Sequence, residues 1–540
     1  MKNRLLRFIP LMIAIAIVVG LLIGTFYSNY FAGNSRTLIN TSSNKLFDLF
    51  YLVDDQYVDS VDLSELVEKS IPKILKELDP HSTYISAKDV ESSMQELQGS
   101  FQGIGVQFTI HEDTVCILKI IESGPAQKVG LQAGDRIVTI DDEPFVGKVV
   151  TNEETMKRLK GQAGTEVKLG IKRKGESQLL DFTISRGNVP VKTVDASYMV
   201  NDSTGYVRIS TFGDNTYAEF LSALAHLRMD ECTSLVIDLR NNLGGYMHPS
   251  VLVANEFLED ERLIVYIEGR KSPREDFYSD GRGMYKEMNL IVLVDEISAS
   301  ASEILAGALQ DNDRAVLVGR RTFGKGLVQV PIEFNDGSML RLTKSRYYTP
   351  SGRCLQKPYV AGNDTAYEAE LIDRALHGEY YSADSIRISG EKFTTRGGRT
   401  VYGGGGIIPD YFIPRDTVGI TSYFRELFST TLPYEFAFKL VDDNRATFAS
   451  CDDAQTLVAL LNRMKVVDKL VNFADKNGVK RRNLMVKTSY KLIERALYSY
   501  IIDNVLGVTE ATQYENQTDA AMLKAIELIR EGKSKPIVEQ

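Results

Sequence analysis

Ser234-Leu-Val-Ile-Asp238-Leu-Arg240-Asn-Asn-Leu-Gly244-Gly245 decides the reading of this chain. Its first half is apolar without alternation, as a strand buried on both faces requires. A glycine pair follows at once, and then a helical run from Pro249 to Leu258. The unit recurs: Leu290-Ile-Val-Leu-Val294, a small-residue loop Ser298–Ser302, then a helix over Glu303–Leu309. Two strand-loop-helix units predict an α/β core, with sites at the C-terminal ends of the strands.

Outward from this core the periodicity changes. Before it, short apolar runs alternate with Gly and Asp turns at Gly105–Ile110, Val115–Ile121, Arg136–Ile140, Val167–Arg173 and Leu179–Ser185. They predict a small β-rich domain of about 90 residues, with a helix at Glu153–Leu159. Residues 36–100 read as helical from the spacing of Leu46, Phe47, Leu49, Phe50 and Val53 and of Leu66, Ile71, Ile74, Leu75 and Leu78. Pro80, within Leu78-Asp79-Pro80-His81-Ser82, is expected to break the second helix. Residues 353–400 are polar and aperiodic, and read as an insertion lying over the surface. Beyond Pro414 helices return, at Ala454–Met464, Lys491–Val505 and Ala520–Glu531.

Ile9–Phe26 carries no charge, and Lys2, Arg4 and Arg7 precede it. Such a run is just long enough to span ~30 Å of hydrocarbon as a helix. Its flanking cations favour a cytoplasmic N-terminus and a chain lying outside. A cleaved signal peptide is the alternative, but no clean small-x-small site follows.

Composition narrows the function. The 540 residues are 43% hydrophobic and 25% charged, and Lys+Arg 63 against Asp+Glu 72 gives a net charge of −9. This speaks against a protein that coats nucleic acid. The four cysteines (Cys116, Cys232, Cys354, Cys451) form no CxxC pair, and none of the five histidines sits in an HExxH frame. No metal site or cofactor is expected, and a hydrolase here is expected to work without a histidine base.

Two segments carry candidate chemistry. In Ser298-Ala-Ser300-Ala-Ser302-Glu303, a serine between an apolar strand and a helix is held where helix N–H groups can stabilise developing negative charge. A structural N-cap is the alternative. Gly319-Arg-Arg-Thr-Phe-Gly324-Lys325-Gly326 nearly matches a P-loop, but Gly326 replaces the metal-binding hydroxyl and a strand follows instead of a helix. Burial of Lys325 in this turn would lower its pKa and make it a base for a serine. If the strand begins at the lysine, Gln329 shares its face and can orient it. Gly244-Gly245 lets backbone approach a ligand closely. One N–H there, with that of Ala301, would make an oxyanion hole.

These motifs, with Phe101-Gln-Gly-Ile-Gly-Val106, Tyr348-Thr-Pro-Ser-Gly352 and Gly406-Ile-Ile-Pro-Asp410, resemble the C-terminal processing peptidases, or tail-specific proteases. The resemblance covers most of residues 40–415. It implies a PDZ domain over 101–187 and a crotonase-like peptidase core over 188–415 with its 353–400 insertion; the residue patterns add a membrane anchor and linker over 1–35, a helical region over 36–100 and a helical region over 416–540, for a multidomain α/β protein. It implies Ser300 as nucleophile, Lys325 as base and Gln329 as the residue that orients the lysine. The oxyanion donors map to Ala301 and Gly245, with Gly244 also open. Gly103, Ile104, Gly105 and Val106 map to a carboxylate-binding loop, where a peptide adds as a strand to the sheet edge. The expected activity is serine endopeptidase cleavage near protein C-termini, on the outer side of the cytoplasmic membrane (a periplasmic setting). An inert PDZ scaffold that binds C-termini is the alternative. The C-terminal helices are open to a homo-oligomer or adaptor role.

Overall fold

The computed structural model describes residues 9–32, 45–95, 98–229, 232–388 and 390–536. Contacts divide the chain into two units, residues 1–73 and 74–540.

In the first unit, helices run over Ile9–Ala32 and Lys45–Gln56. Among the described residues, no helix is long and apolar enough to cross a membrane. Side chains of the first helix are described over residues 14–25, where Ile15, Ile17, Val18, Leu21, Leu22 and Ile23 are exposed. Lys2, Arg4, Arg7 and residues 33–35 of the expected anchor and linker lie outside the described residues. Lys45–Gln56 buries none of its side chains, despite its apolar spacing. The helix Leu63–Lys76 contains Pro72 and ends before Pro80, which is therefore not its terminator.

The second unit is built on a six-stranded sheet. Its order is Val194–Asn201, Thr204–Ile209, Ser234–Asp238, Asn289–Val294, Val316–Gly319 and Tyr411–Phe412. All neighbours are parallel except the antiparallel edge strand Val194–Asn201. The unbroken apolar runs are explained by burial of both faces. Leu235, Ile237, Leu290 and Val292 join one core with Phe220, Val253 and Leu305 of the helices Thr216–Met229, Met247–Asn255 and Ala301–Asp311. Val236, Ile291 and Leu293 join a second core with Met522, Ala525 and Leu528 of Ala520–Arg530. By packing, this last helix belongs with the sheet, although it closes the C-terminal helical region.

The β-rich domain is an antiparallel sheet of Val106–His111, Thr114–Ile120, Arg136–Ile140, Glu166–Lys172 and Leu180–Ser185, with the short strand Glu143–Pro144 on Arg136–Ile140. The helix Asn152–Leu159 is capped by the Thr151 side chain. Ile117, Ile137, Phe145, Leu169 and Ile184 fill its interior. C-terminal helices hold this domain through Arg136–Asp442 (2.8 Å), Lys119–Asp503 (2.6 Å) and the Phe438 ring packed on Cys116 and Leu118. Those helices have a core of their own around Leu440, Leu457, Leu470, Leu497 and Ile501.

The 353–400 segment is not a surface drape. It holds the helix Asp364–Leu376 and the strand pair Lys392–Thr394 and Thr400–Tyr402, and it buries Arg353, Lys357, Arg374 and Glu379. Its buried cations are each paired: Arg353 with Asp311 (2.6 Å), and Lys357 (3.0 Å) and Arg374 (2.5 Å) together with the half-buried Glu370. Pairing of this kind makes an interior segment look polar and aperiodic in sequence.

Candidate active site

Ser300 caps the helix Ala301–Asp311 with φ 55° and ψ −115°. A serine rarely adopts this left-handed backbone, and residues so held gather at functional sites. Its two neighbours are different. Ser298 and Ser302 are fully buried. The Ser298 hydroxyl donates to Leu239 O (2.8 Å), and the Ser302 hydroxyl donates to Asn242 O (3.1 Å). Of the three, Ser300 alone lines the adjoining cavity of about 240 Å³, together with Lys325, Gln329, Gly245 and Ala301.

Lys325 leaves its turn toward Gln329, and its Nζ donates to Gln329 Oε1 at 3.2 Å. The strand starts only at Leu327 and shifts register between Val328 and Gln329, so the pair meets across an irregular start, not along an ideal strand. The Gln329 amide donates in turn to the carbonyl of His81. Asp79 fixes that carbonyl's segment by accepting from His81 N (2.9 Å), Ser82 N (2.9 Å) and Thr343 Oγ1 (3.0 Å). This gives the Asp79-Pro-His-Ser82 motif a place in the site.

Burial, then the nearby Arg341 cation, lowers the Lys325 pKa, against the pull of Glu303 and Asp79. A neutral amine is what a base requires. Burial first, and then the charge on Lys325, brings the His81 pKa down to about 4. Its ring is neutral near pH 7 and bonds the Tyr367 hydroxyl at 2.8 Å.

The two halves of the site share a hub that sequence reasoning assigned no role. Glu303 is buried, and its carboxylate accepts from Ser300 N (3.0 Å), Lys325 N (2.8 Å), Gly324 N (2.8 Å) and Thr322 Oγ1 (2.6 Å). One side chain thus sets the elbow against the lysine turn. Burial raises its pKa, and these donors oppose that rise. Tyr347 repeats the link: its hydroxyl donates to Ser300 O (3.3 Å) and to Lys325 O. In sequence Glu303 reads as an ordinary first-turn residue. A helix acid three positions after an N-cap serine is the only local signal, and it points to a capping box.

The glycine pair divides its work. Gly244 N–H donates to Asn242 Oδ1 at 2.8 Å, and so is already committed. Any Cβ on Gly244 would lie 2.7 Å from the Ser300 Cβ, so the loop needs glycine to pack against the elbow. Gly245, with Ala301, borders the cavity and is left as the donor position.

In the β-rich domain, Gly103 lies in a strand, opposite Gly187. The carbonyls of Ile104 and Gly105 point inward, accepting from Ala126 N (2.7 Å) and Ile121 N (3.0 Å). Among the described residues no peptide bond is cis. Across a trans peptide the next N–H points the opposite way, so the Gly105 and Val106 amides face outward.

Residues 203–364 match the model of peptidase family S41, and residues 102–184 match a PDZ domain. A carboxy-terminal-processing protease of Bartonella bacilliformis is 37% identical over 314 residues, covering 57% of this chain and 71% of that protein. The chain belongs to peptidase family S41. Other S41 relatives include a "Probable CtpA-like serine protease" of Staphylococcus haemolyticus, 36% identical over 302 residues, covering 56% of this chain and 60% of that protein. A solved structure titled photosystem II D1 C-terminal processing protease is 30% identical, covering 59% of this chain and 92% of that one, with a TM-score of 0.33. Residues 423–507 of this S41 chain match a family of unknown function, DUF8443.

Proposed function

We propose that this S41 chain is a serine endopeptidase that cuts protein substrates near their C-termini through a Ser300/Lys325 dyad. The Ser300 hydroxyl attacks the scissile carbonyl while the neutral Lys325 amine takes its proton. The tetrahedral oxyanion is held by the N–H groups of Gly245 and Ala301. Lys325 then gives the proton to the leaving amine, and water, deprotonated by the same lysine, releases the acyl group. Gln329 holds the amine by a neutral acceptor, which avoids stabilising its charged form. The observation that carries this reading is the contrast among three serines: two hydroxyls are spent on carbonyls, and the third lines the cavity with the lysine.

The outward Gly105 and Val106 amides support capture of a substrate's terminal carboxylate by the PDZ domain. The N-terminal run Ile9–Phe26 anchors the protein in the cytoplasmic membrane, with the peptidase outside. Lys2, Arg4 and Arg7 support the orientation, and exposed apolar side chains on the helix support the insertion. Fractionation and protease accessibility test this; a soluble product lacking about the first thirty residues would favour a cleaved signal instead.

The dyad is tested by assaying Ser300→Ala beside Ser302→Ala on a peptide with a free apolar C-terminus. Ser300→Ala should lose turnover on the order of 10³-fold or more. Ser302→Ala should keep turnover and lose about 1 kcal/mol of stability. The opposite pattern would refute the assignment.

A further inference from the structure

The turn that carries Lys325 has no regular secondary structure, yet every backbone polar group from Thr322 to Gly326 has a partner. The core supplies six of these bonds. Thr322 N donates to Ile407 O (3.0 Å), and Phe323 N donates to Ser298 O (3.0 Å). Gly324 N and Lys325 N donate to Glu303. Tyr347 meets Lys325 O through its hydroxyl and Gly326 O through its N–H (3.0 Å).

The other four come from the 353–400 insertion. Arg374 donates to Thr322 O (2.8 Å) and Phe323 O (3.2 Å). Lys357 N donates to Gly324 O (2.9 Å), and Gln356 Oε1 accepts from Gly326 N (2.9 Å).

The donors are themselves held. Glu370 accepts from Arg374 Nε (2.5 Å) and from Lys357 Nζ (3.0 Å). Lys357 Nζ lies between the rings of Phe323 (4.2 Å) and Tyr367 (4.1 Å). Tyr367 reaches both Gln356 Nε2 (3.3 Å) and His81 (2.8 Å). Arg374 is 4% exposed. A guanidinium buried this deeply is costly unless paired and hydrogen-bonded; Glu370 pairs this one, and its terminal N–H groups are spent on two carbonyls of one turn.

Resting on the assignment of Lys325 as the base, we propose that the insertion is a positioning clamp. Arg374, with Gln356 as its second contact, holds the Thr322–Gly326 turn so that the amine stays buried and aimed at Ser300. Neither side chain touches substrate; both act through Lys325. A chain without these contacts would let the turn open to water, and the lysine would return toward its ordinary pKa of ~10.4.

The test is the pH dependence of kcat in the full chain on a quenched peptide with a free apolar C-terminus. Arg374→Ala should lower kcat near neutral pH on the order of 10²-fold with KM unchanged. It should also move the kcat midpoint upward. Added methylguanidinium should recover part of the loss, and Arg374→Lys should fall between. Gln356→Ala removes one acceptor without a buried charge, and should show the same upward midpoint with about a 5-fold loss. If Arg374→Ala does not fold, Gln356→Ala decides. An unchanged midpoint in the folded variants overturns the clamp, whatever happens to kcat. Retained activity in Lys325→Ala overturns the base assignment itself, and that outcome is distinct.

Discussion

Two glycine-rich segments of this molecule contrast: Gly324-Lys325-Gly326 in the peptidase core and Gly103-Ile104-Gly105-Val106 in the PDZ domain. Both use positive φ, at Gly324 (90°) and Gly105 (81°). In the first, every surrounding backbone group is bonded to protein, so the glycines let the chain pass through a crowded interior and present one side chain. In the second, the Ile104 and Gly105 carbonyls bond inward, and the Gly105 and Val106 amides face outward. The same residue type therefore serves opposite ends: in one turn the backbone is fully occupied and a side chain is left to line the cavity, and in the other backbone amides are left facing outward.

The sharpest way to break this contrast is Lys325→Arg. Arginine cannot lose its proton, so turnover should fall on the order of 10³-fold or more, as in Lys325→Ala. Substantial activity in the arginine variant would exclude the lysine base. In the native enzyme kcat should rise with pH as Lys325 deprotonates. The midpoint should lie below ~10.4, because burial lowers this pKa.

Gly324→Ala comes next. Its Cβ would sit 2.9 Å from Gly406 N and 3.1 Å from Gly405 C, backbone atoms that cannot swing aside. The lysine turn should shift, and kcat should drop about 10²-fold for every substrate. Gly105→Ala should act differently. Its Cβ would meet Gly124 Cα at 3.2 Å, a milder crowding. Binding of free-acid tails should weaken by about 10-fold, while amidated tails, already weak, should not change further. Equal handling of acid and amide in the native protein would count against tail capture.

The smallest effect is expected at the PDZ docking face. Arg136→Ala removes a half-exposed partner of Asp442 and should cost about 1 kcal/mol of docking. Faster hydrogen exchange in Arg136–Ile140, with kcat little changed, would show it; no change in exchange would mean that Lys119–Asp503 and Phe438 hold the domain without it.

Much of this was legible from periodicity. Arg136–Ile140 has the expected bounds, and Ser234–Asp238 and Asn289–Val294 differ from expectation by a residue or two, because their apolar runs reflect local burial. The helix Asn483–Val505 begins well before the expected Lys491, since its early turns carry polar residues on the outer face. Glu303, Tyr347 and Arg374 were not legible as site residues. Each acts on a turn that is distant in the chain, and nothing local in sequence marks a carboxylate or guanidinium that will be buried.

By itself, then, the sequence determined the alternation of strand and helix, the separate β-rich domain and the candidate set of serines, lysine and glutamine. Those properties follow from neighbours within a few residues, through side-chain period and glycine placement. Tertiary structure alone decided which serine is free, which glycine N–H is spent, that the polar insertion is interior, and that the last helix covers the second face of the sheet. These outcomes depend on which distant backbone groups compete for one hydrogen bond, and that competition exists only once the chain has folded.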